Sequence, residues 1–173
     1  MSYIVVDVES DGQIIGYHSM VCFGAVVVDD KLDRSFYGQV APISDHYVKE
    51  ALAISGFSRE EHEKFDDPFK VMSEFAEWIN SNSKGRPILI SDNNGYDASW
   101  INYYFHVYNG GKNPFGWSSR RIGDMFAGYM NDPFYQWKRH RKTKHTHDPV
   151  DDAKGNAEAL LYLRDQGFNI KFK

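Results

Sequence analysis

The stretch VVDVESDG, residues 5–12, places three carboxylates at alternate positions ahead of a glycine: Asp7, Glu9, Asp11 and Gly12. Two kinds of metal chemistry use such a pattern. A calcium loop reads D-x-[DN]-x-[DN]-G and ends in a bidentate glutamate at its twelfth position. Alternatively, the stretch is the end of a strand that carries carboxylates for a catalytic magnesium site. The two interpretations predict different neighbours along the chain.

The calcium interpretation fails on its most important ligand. The twelfth loop position is His18, and the residues before Asp7 are strand-like rather than helical. Because side chains alternate along a strand, Asp7 and Glu9 are expected on one face, roughly 7 Å apart. Two carboxylates so placed can bind a hard divalent cation together with water and phosphate oxygens. The pattern therefore favours the strand and its magnesium chemistry.

A two-ion hydrolase needs further carboxylates from elsewhere in the fold, and the sequence offers them in two places. Asp97 lies at a helix start in NNGYDASWIN, and Asp151 and Asp152 open the last helix in HTHDPVDDAKGN. Such a set would hold two metal ions about 4 Å apart. A histidine near the last carboxylate can take a proton from the attacking water, since the ordinary pKa of histidine lies close to neutral pH.

The elements that must position these residues follow from apolar patterning and capping signals. Short β-branched runs predict strands over residues 3–8, 20–28, 33–40 and 86–91. Helical spacing and capping predict helices over residues 44–55, 58–65, 67–80, 96–108, 121–130, 133–141 and 148–167. Three strands, then helices, a central strand and more helices predict an α/β domain with a mixed sheet.

Length and composition set the class of protein. The chain has 173 residues, of which 42% are hydrophobic, so we expect one domain over residues 1–173. It has neither a run of about 18 apolar residues nor the features of a secretory signal. The lone Cys22 lies in an apolar run, which is typical of a buried thiol in a reducing compartment. We therefore expect a soluble cytoplasmic protein without a membrane partner.

The charges are segregated, although the net charge is only −4. Residues 138–145, KRHRKTKH, are strongly basic, and Arg120 and Arg121 add to this half of the chain. The carboxylates are concentrated elsewhere, as in DVESD and HDPVDD. Such a distribution suits a protein that holds metal ions beside a polyanion. Lys142 and Lys144 are the predicted phosphate contacts, and reversing their charges is expected to weaken substrate binding and flatten its salt dependence.

Together, these motifs resemble the DEDDh-type 3′→5′ exonucleases, the group that contains proofreading exonucleases, RNase T and oligoribonuclease. Asp7 and Glu9 match the Asp-x-Glu of the first motif, and Asn94-Gly-Tyr-Asp97 matches the second. The third motif is a histidine five positions before an aspartate, which is matched by His147 and Asp152. The same spacing fits no other pair nearby. The residue five positions after His145 is Val150, and the residue five positions before Asp151 is Thr146.

The resemblance implies an RNase H-like fold, a mixed five-stranded sheet flanked by helices. It implies two Mg²⁺ or Mn²⁺ ions bound by Asp7, Glu9, Asp97 and Asp152, with His147 as the general base. The implied substrate is the 3′ end of single-stranded RNA or DNA, shortened by release of nucleoside 5′-monophosphates. Analogy with small stand-alone members favours RNA over DNA and suggests a homodimer.

The resemblance also suggests substrate contacts. Residues 51–57, ALAISGF, are similar to a family segment that approaches the terminal nucleotide. The predicted nucleic-acid contacts near the motifs are Ser10, Gly12, Phe57, Asn94 and Tyr96, of which Phe57 and Tyr96 are candidates for stacking on a base. One departure concerns Asp11, which stands where the family commonly has a polar pair. We expect it to add negative charge beside the phosphate path.

Three alternatives stay open. His145 and His147 are spaced so that they could bind zinc, although no cysteine lies nearby. The protein could hydrolyse dinucleotides or other small nucleotides and ignore longer strands. It could also be a non-catalytic nucleic-acid-binding subunit, but a pure binder gains nothing from four mutually repelling carboxylates. Asp148 and Asp151 are interpreted as residues that favour the start of the last helix.

Overall fold

The computed structural model describes residues 1–170 and contains a mixed five-stranded sheet with helices on both faces. The strands lie in the order β3-β2-β1-β4-β5. β1 and β3 are antiparallel to β2, whereas β4 is parallel to both β1 and β5. The predicted α/β fold with a mixed five-stranded sheet is thereby confirmed. The strand bounds are β1 Ser2–Ser10, β2 Met20–Val27, β3 Ser35–Gln39, β4 Pro87–Ser91 and β5 Ser119–Arg121.

Within residues 1–170, six α-helices connect and cover the strands: α1 Lys49–Ile54, α2 Arg59–His62, α3 Pro68–Asn82, α4 Asn94–Tyr108, α5 Ile122–Met130 and α6 Pro149–Asp165. Side-chain caps are present at three of the predicted helix starts. Ser58 and Glu61 form a capping box at α2, and the Asp67 side chain accepts a hydrogen bond at the start of α3. Asp148 caps α6 by accepting from two backbone amides of its first turn. None of the helices within residues 1–170 is long and apolar enough to cross a lipid bilayer.

Some predicted elements differ from those observed. Residues 133–141 form only a short 3₁₀ helix, Trp137–His140, instead of an α-helix. The reason is local, because Asp132 accepts hydrogen bonds from the amides of Phe134 and Tyr135 and so stabilises a turn. The strand Ser119–Arg121 was not predicted, because its three polar residues carry no apolar pattern.

Two apolar clusters lie on the two faces of the sheet. The first packs α3 and α4 against one face and includes Ile4, Val6, Phe23, Phe75, Trp100 and Tyr104. The second packs α5 and α6 against the other face and includes Val5, Val26, Ile90, Phe126, Leu160 and Leu163. β1 is buried from both sides, so its even-numbered residues face α4 and its odd-numbered residues face α6. This alternation decides where its carboxylates lie.

Candidate active site

Along β1, the face that packs against α6 changes from apolar to acidic. Tyr3 and Val5 contact the second apolar cluster, and Asp7 and Glu9 continue the same face toward the end of the strand. Beyond the apolar contacts, these two side chains line a cleft of about 520 Å³. The sequence prediction that Asp7 and Glu9 share one face at a strand end is therefore confirmed.

Gly24 allows α6 to approach these carboxylates. It pairs with Asp7 across β1 and β2, and a Cβ at this position would lie 2.3 Å from the backbone carbonyl carbon of Pro149. Only a residue without a side chain permits the first turn of α6 to rest so closely on the sheet. That contact brings Asp152, in the first turn of α6 and 1% exposed, next to β1.

Asp97 comes from the other neighbour of β1. α4 follows β4, which runs parallel to β1, so the start of α4 lies at the same edge of the sheet as Asp7. Asp97 is 3% exposed, and its Oδ2 accepts a hydrogen bond of 3.1 Å from the Asn93 amide. Burial raises its pKa to about 7, although hydrogen bonds from the Asn93 amide and from Ser91 oppose the shift.

The carboxylates from the three elements act on one another. Burial raises the pKa of Asp7 well above its ordinary value, and the negative charges of Asp97, Asp152 and Glu9 raise it further. Burial also raises the pKa of Glu9, against the opposing effect of His147. Clustered carboxylate oxygens are the donors that hard divalent cations prefer. The donor set therefore fits the metal ions that the sequence motifs imply.

The loop before α6 brings a histidine to this cluster. His147 Nδ1 lies 3.6 Å from Glu9 Oε1, and the His147 amide donates a hydrogen bond of 3.1 Å to Asp152 Oδ2. The backbone of His147 is in the left-handed region, with φ of 63°. A non-glycine residue in this region costs free energy, and such residues concentrate at functional sites.

Two contacts at Asp152 were not predicted. Arg141 Nη2 lies 2.7 Å from Asp152 Oδ1, and His145 Nδ1 lies 2.8 Å from Asp152 Oδ2. His145, His147 and Asp152 each offer a ligand atom within 4.8 Å of the other two. The zinc alternative thus has a geometric basis, but it shares Asp152 with the carboxylate cluster and belongs to the same site. Spacing along the sequence alone gave no signal for the contacts of Arg141 and His145.

The cleft gathers residues from both predicted and unpredicted segments. Of the predicted residues, it is lined by Asp7, Glu9, Ser10, Gly12, Tyr96, Asp97 and His147. The lining also includes Ala51 and Ile54 from the segment 51–57, His145 of the zinc alternative, and the unpredicted Gln13, Asp92 and Asn93. Ile54 is 51% exposed. The family-like segment therefore does border the cleft, through Ala51 and Ile54.

Phe57 lies beside the cleft, not in it. The ring is half-buried and packs edge-to-face on Phe65, with centroids 4.9 Å apart. It lines an adjacent cavity of about 250 Å³, which shares Ile54 and His147 with the main cleft. Stacking of Phe57 on a base stays a prediction.

Three other predicted contacts lie away from the lining of the cleft. Asn94 Oδ1 accepts a hydrogen bond from the Ser91 hydroxyl at 3.3 Å. Lys142 lines a separate cavity that also contains Glu158 and has no lining residue in common with the cleft. Lys144 is exposed. Their roles in nucleic-acid binding stay predictions.

Ser10 and Tyr96 are hydrogen-bonded to each other in the lining of the cleft. The Ser10 hydroxyl is hydrogen-bonded to both the Gly12 carbonyl and the Tyr96 hydroxyl. A Cβ at Gly12 would lie 2.4 Å from the ring of His18, so this position requires glycine. These contacts fix the turn after β1 and hold the half-buried Tyr96 ring in place.

Asp11 contradicts its sequence expectation. Its side chain is fully buried, accepts a hydrogen bond of 2.6 Å from the Ser19 amide and pairs with Arg59 at 3.3 Å. Arg59 is also bound to the Ser44 carbonyl. Asp11 therefore connects loops within the fold, and the expectation that it adds negative charge beside the phosphate path is wrong.

The raised pKa of Asp97 leads to a pH-dependent prediction for the metal-free protein. Its pKa is about 7 in the folded protein against an ordinary 3.8, so between these values the folded state binds more protons than the unfolded state. The stability from this group is present below about pH 4 and is lost as the pH rises through 7. The free energy of unfolding of Asp97→Asn, relative to that of wild type, is therefore expected to rise by on the order of a few kcal/mol from pH 4 to pH 8.

Urea unfolding in EDTA across this range measures the difference. A difference between Asp97→Asn and wild type that is independent of pH would contradict the assignment. The matched control is Asp66→Asn, because Asp66 is exposed and pairs with Lys70 at the surface. That variant is expected to differ little from wild type at any pH.

No family model matches the chain. The curated 3′–5′ DNA exonuclease Cap18 of Escherichia coli is 35% identical over 174 residues, with 93% of this chain and 90% of that protein covered.

Solved structures share the fold. The nuclease domain of 3′hExo, a DEDDh family member bound to rAMP, has a TM-score of 0.80 and 16% identity, and the match covers 99% of this chain and 96% of that chain. The zinc-bound complex of E. coli ExoI with single-stranded DNA has a TM-score of 0.70 and 17% identity, with 96% and 41% of the two chains covered. The sequence relative, the shared fold and the motifs together show that the chain belongs to the DEDDh-type 3′→5′ exonucleases, which are nucleic-acid hydrolases.

Proposed function

We propose that this protein removes nucleotides one at a time from the 3′ end of single-stranded DNA. The observation that carries the proposal is a cleft lined by Asp7 and Glu9 of β1 and Asp97 of α4. His147 lies beside Glu9, and Asp152 of α6 is close enough for its charge to act on Asp7. A site of this kind can act on a phosphodiester that enters from solvent. Asp7, Glu9, Asp97 and Asp152 are the proposed metal ligands, and His147 is the proposed general base.

The choice of DNA rests on the curated relative. Analogy with small stand-alone members of the family favours RNA, whereas the relative at 35% identity is named as a DNA exonuclease. We give more weight to this relative, because it is aligned over 93% of the chain at about twice the identity of the solved structures. DNA is therefore the proposed substrate, and RNA of the same sequence is its direct competitor in the test.

Divalent metal ions are the cofactors on which DEDDh exonucleases depend. We propose two Mg²⁺ or Mn²⁺ ions for this chain. The proposal is supported by four clustered carboxylates, of which Asp97, Asp152 and Glu9 raise the pKa of Asp7 when no cation is bound. When bound, such ions supply an activated water and stabilise the charge on the leaving oxygen. Asp7, Glu9, Asp97 and Asp152 would hold these ions.

His147 handles the proton of the attacking water. Its side chain is 51% exposed at the cleft, so the imidazole can reach both substrate and solvent. The amide of His147 is bound to Asp152, which fixes the loop relative to the carboxylate cluster. An imidazole nitrogen accepts the water proton, and a nucleoside 5′-monophosphate and a shortened strand are the products.

The cleft also offers surface for a base. Ala51, Ile54 and the Tyr96 ring are apolar groups along its lining. A base that stacks on a tyrosine contributes about 1–3 kcal/mol without sequence preference. This supports binding of a strand end whose terminal base is unpaired.

A gel time course tests the proposal. The protein is mixed with 5′-labelled single-stranded DNA and RNA of one sequence, in EDTA, Mg²⁺ or Mn²⁺. The expected result is a metal-dependent ladder that shortens from the 3′ end and advances faster on DNA. Faster digestion of RNA would reverse the sugar preference and leave the exonuclease intact. Cleavage of dinucleotides alone would indicate the small-nucleotide hydrolase, and binding without cleavage would indicate the non-catalytic subunit.

The assembly state is a separate proposal. On analogy with small family members, we propose that the chain forms a homodimer. Size-exclusion chromatography with light scattering gives the mass directly. A dimer has twice the 20.0 kDa of the chain, and a mass of one chain would overturn this proposal alone.

A further inference from the structure

We propose that Arg141 is a positioning residue for Asp152 and that Gly155 provides the space that it occupies. Arg141 Nη2 lies 2.7 Å from Asp152 Oδ1 and 3.4 Å from the backbone oxygen of Asp152. The two side chains are 9% and 1% exposed. A guanidinium and a carboxylate in contact at such depth are held strongly, because water does not compete for either group.

Gly155 makes this position possible. It lies in the interior of α6, where glycine is less favourable than alanine. A Cβ there would lie 2.5 Å from Arg141 Nε and 2.8 Å from its Nη2. It would also lie 2.9 Å from the Thr143 carbonyl oxygen. Gly155 is three residues after Asp152, on the same face of the helix, so the guanidinium rests on the helix backbone beside the carboxylate.

The chain that carries Arg141 is fastened to the same helix. Glu158 Oε2 accepts hydrogen bonds of 2.7 Å from the amides of both Lys142 and Thr143, and Glu158 Oε1 accepts from the Thr143 hydroxyl at 3.0 Å. Glu158 is one helical turn beyond Gly155. Arg141 is therefore held by its backbone neighbours as well as by its side chain.

Both oxygens of Asp152 are consequently fixed. Oδ1 is bound by Arg141 and by the Thr146 amide at 3.3 Å. Oδ2 is bound by the His147 amide and lies 2.8 Å from His145 Nδ1. A carboxylate held at both oxygens keeps one orientation, and outer partners that orient a metal ligand commonly change metal affinity 10–100-fold. Arg141 is not proposed to touch substrate or metal. It acts through Asp152.

The inference rests on the proposed role of Asp152 as a metal ligand, and the experiment separates the two. Mn²⁺ binding to the folded protein is measured by isothermal titration calorimetry for wild type, Arg141→Met, Asp152→Asn and the double variant. Arg141→Met is expected to weaken Mn²⁺ binding about tenfold. Loss of a nearby positive charge alone would strengthen it. In the Asp152→Asn background, Arg141→Met is expected to have no further effect.

The matched control is Arg34→Met. Arg34 forms a guanidinium–carboxylate pair with Asp29 at the same distance, 2.7 Å, but its partner is not in the cluster. Its removal is expected to leave Mn²⁺ affinity unchanged. If Asp152→Asn binds Mn²⁺ as tightly as wild type, the proposed ligand assignment fails. If Asp152→Asn loses affinity while Arg141→Met keeps or gains it, the positioning role alone fails.

If Arg141→Met does not fold, a comparison of Gly155→Ala with Gly128→Ala tests the inference. A Cβ at Gly128, in α5, would meet nothing within 4 Å, so Gly128→Ala is expected to raise the melting temperature by about 2 °C. Gly155→Ala is expected to lower it by about 3 °C or more and to weaken Mn²⁺ binding. A Gly155→Ala protein that is stabilised and binds Mn²⁺ normally, as Gly128→Ala should, overturns the inference.

Discussion

Replacing Asp7 with asparagine is expected to lower the rate of 3′-end hydrolysis by about 10³-fold or more while the protein stays folded. Asp7 is the carboxylate on which the charges of Asp97, Asp152 and Glu9 all act. Loss of a metal ligand would remove several kcal/mol of charge stabilisation in the transition state, and each 1.36 kcal/mol corresponds to about a factor of ten. Single-turnover cleavage of labelled DNA in saturating Mn²⁺ measures this loss.

The same substitution is expected to stabilise the metal-free protein at neutral pH. Burial and three neighbouring negative charges raise the pKa of Asp7 in the folded state, so the charged carboxylate costs stability at any pH above its unfolded pKa. Asparagine has a similar shape and no charge. The melting temperature of Asp7→Asn in EDTA is therefore expected to lie above that of wild type, and this gain should shrink or reverse when wild type is saturated with Mn²⁺.

Asp29→Asn provides the opposite control. Burial would raise the pKa of Asp29, but hydrogen bonds from Arg34, Leu32 and Lys31 outweigh this effect, so the pKa is lowered. Its charge stabilises the folded protein, and asparagine should lower the melting temperature without lowering the rate of hydrolysis.

Full activity of Asp7→Asn, or inactivity that arises only from unfolding, would falsify the assignment of Asp7.

The sequence predicted those parts of the site that depend on local geometry. Alternation along β1 placed Asp7 and Glu9 on one face, and helix-start signals placed Asp97 and Asp152 in first turns, as observed. The five-residue spacing of the third motif selected His147 as the partner of Asp152, and the structure places His147 against Glu9. Each of these inferences needs only the period of a strand or the capping of a helix.

Contacts between distant segments were not predictable in the same way. Nothing in the spacing shows that Arg141 rests on Gly155 or that Asp11 is buried against Arg59. These pairs form because chain segments cross in three dimensions, and the residue types alone allow many other partners. The strand Ser119–Arg121 was missed for a related reason, since its pairing with β4 defines it and its own side chains do not.

The second large effect is expected at His147. His147→Ala should lower the rate of hydrolysis by about 10²–10⁴-fold, the usual contribution of a general base, with little change in Mn²⁺ affinity. His145→Ala should lower it less than about tenfold, because His145 contacts Asp152 but does not occupy the motif position. Steady-state rates on single-stranded DNA compare the two variants directly.

His147→Gly separates backbone strain from chemistry. The backbone φ of His147 is 63°, a conformation that alanine retains at a cost and that glycine adopts freely, so the glycine variant should be more stable than the alanine variant by about 1 kcal/mol. Both should be equally inactive, because both lack the imidazole. If glycine restored activity, the loop conformation would be the catalytic contribution of this position. If His145→Ala were instead the more damaging variant, the general base would move to His145, and its contact of 2.8 Å with Asp152 would become the catalytic one.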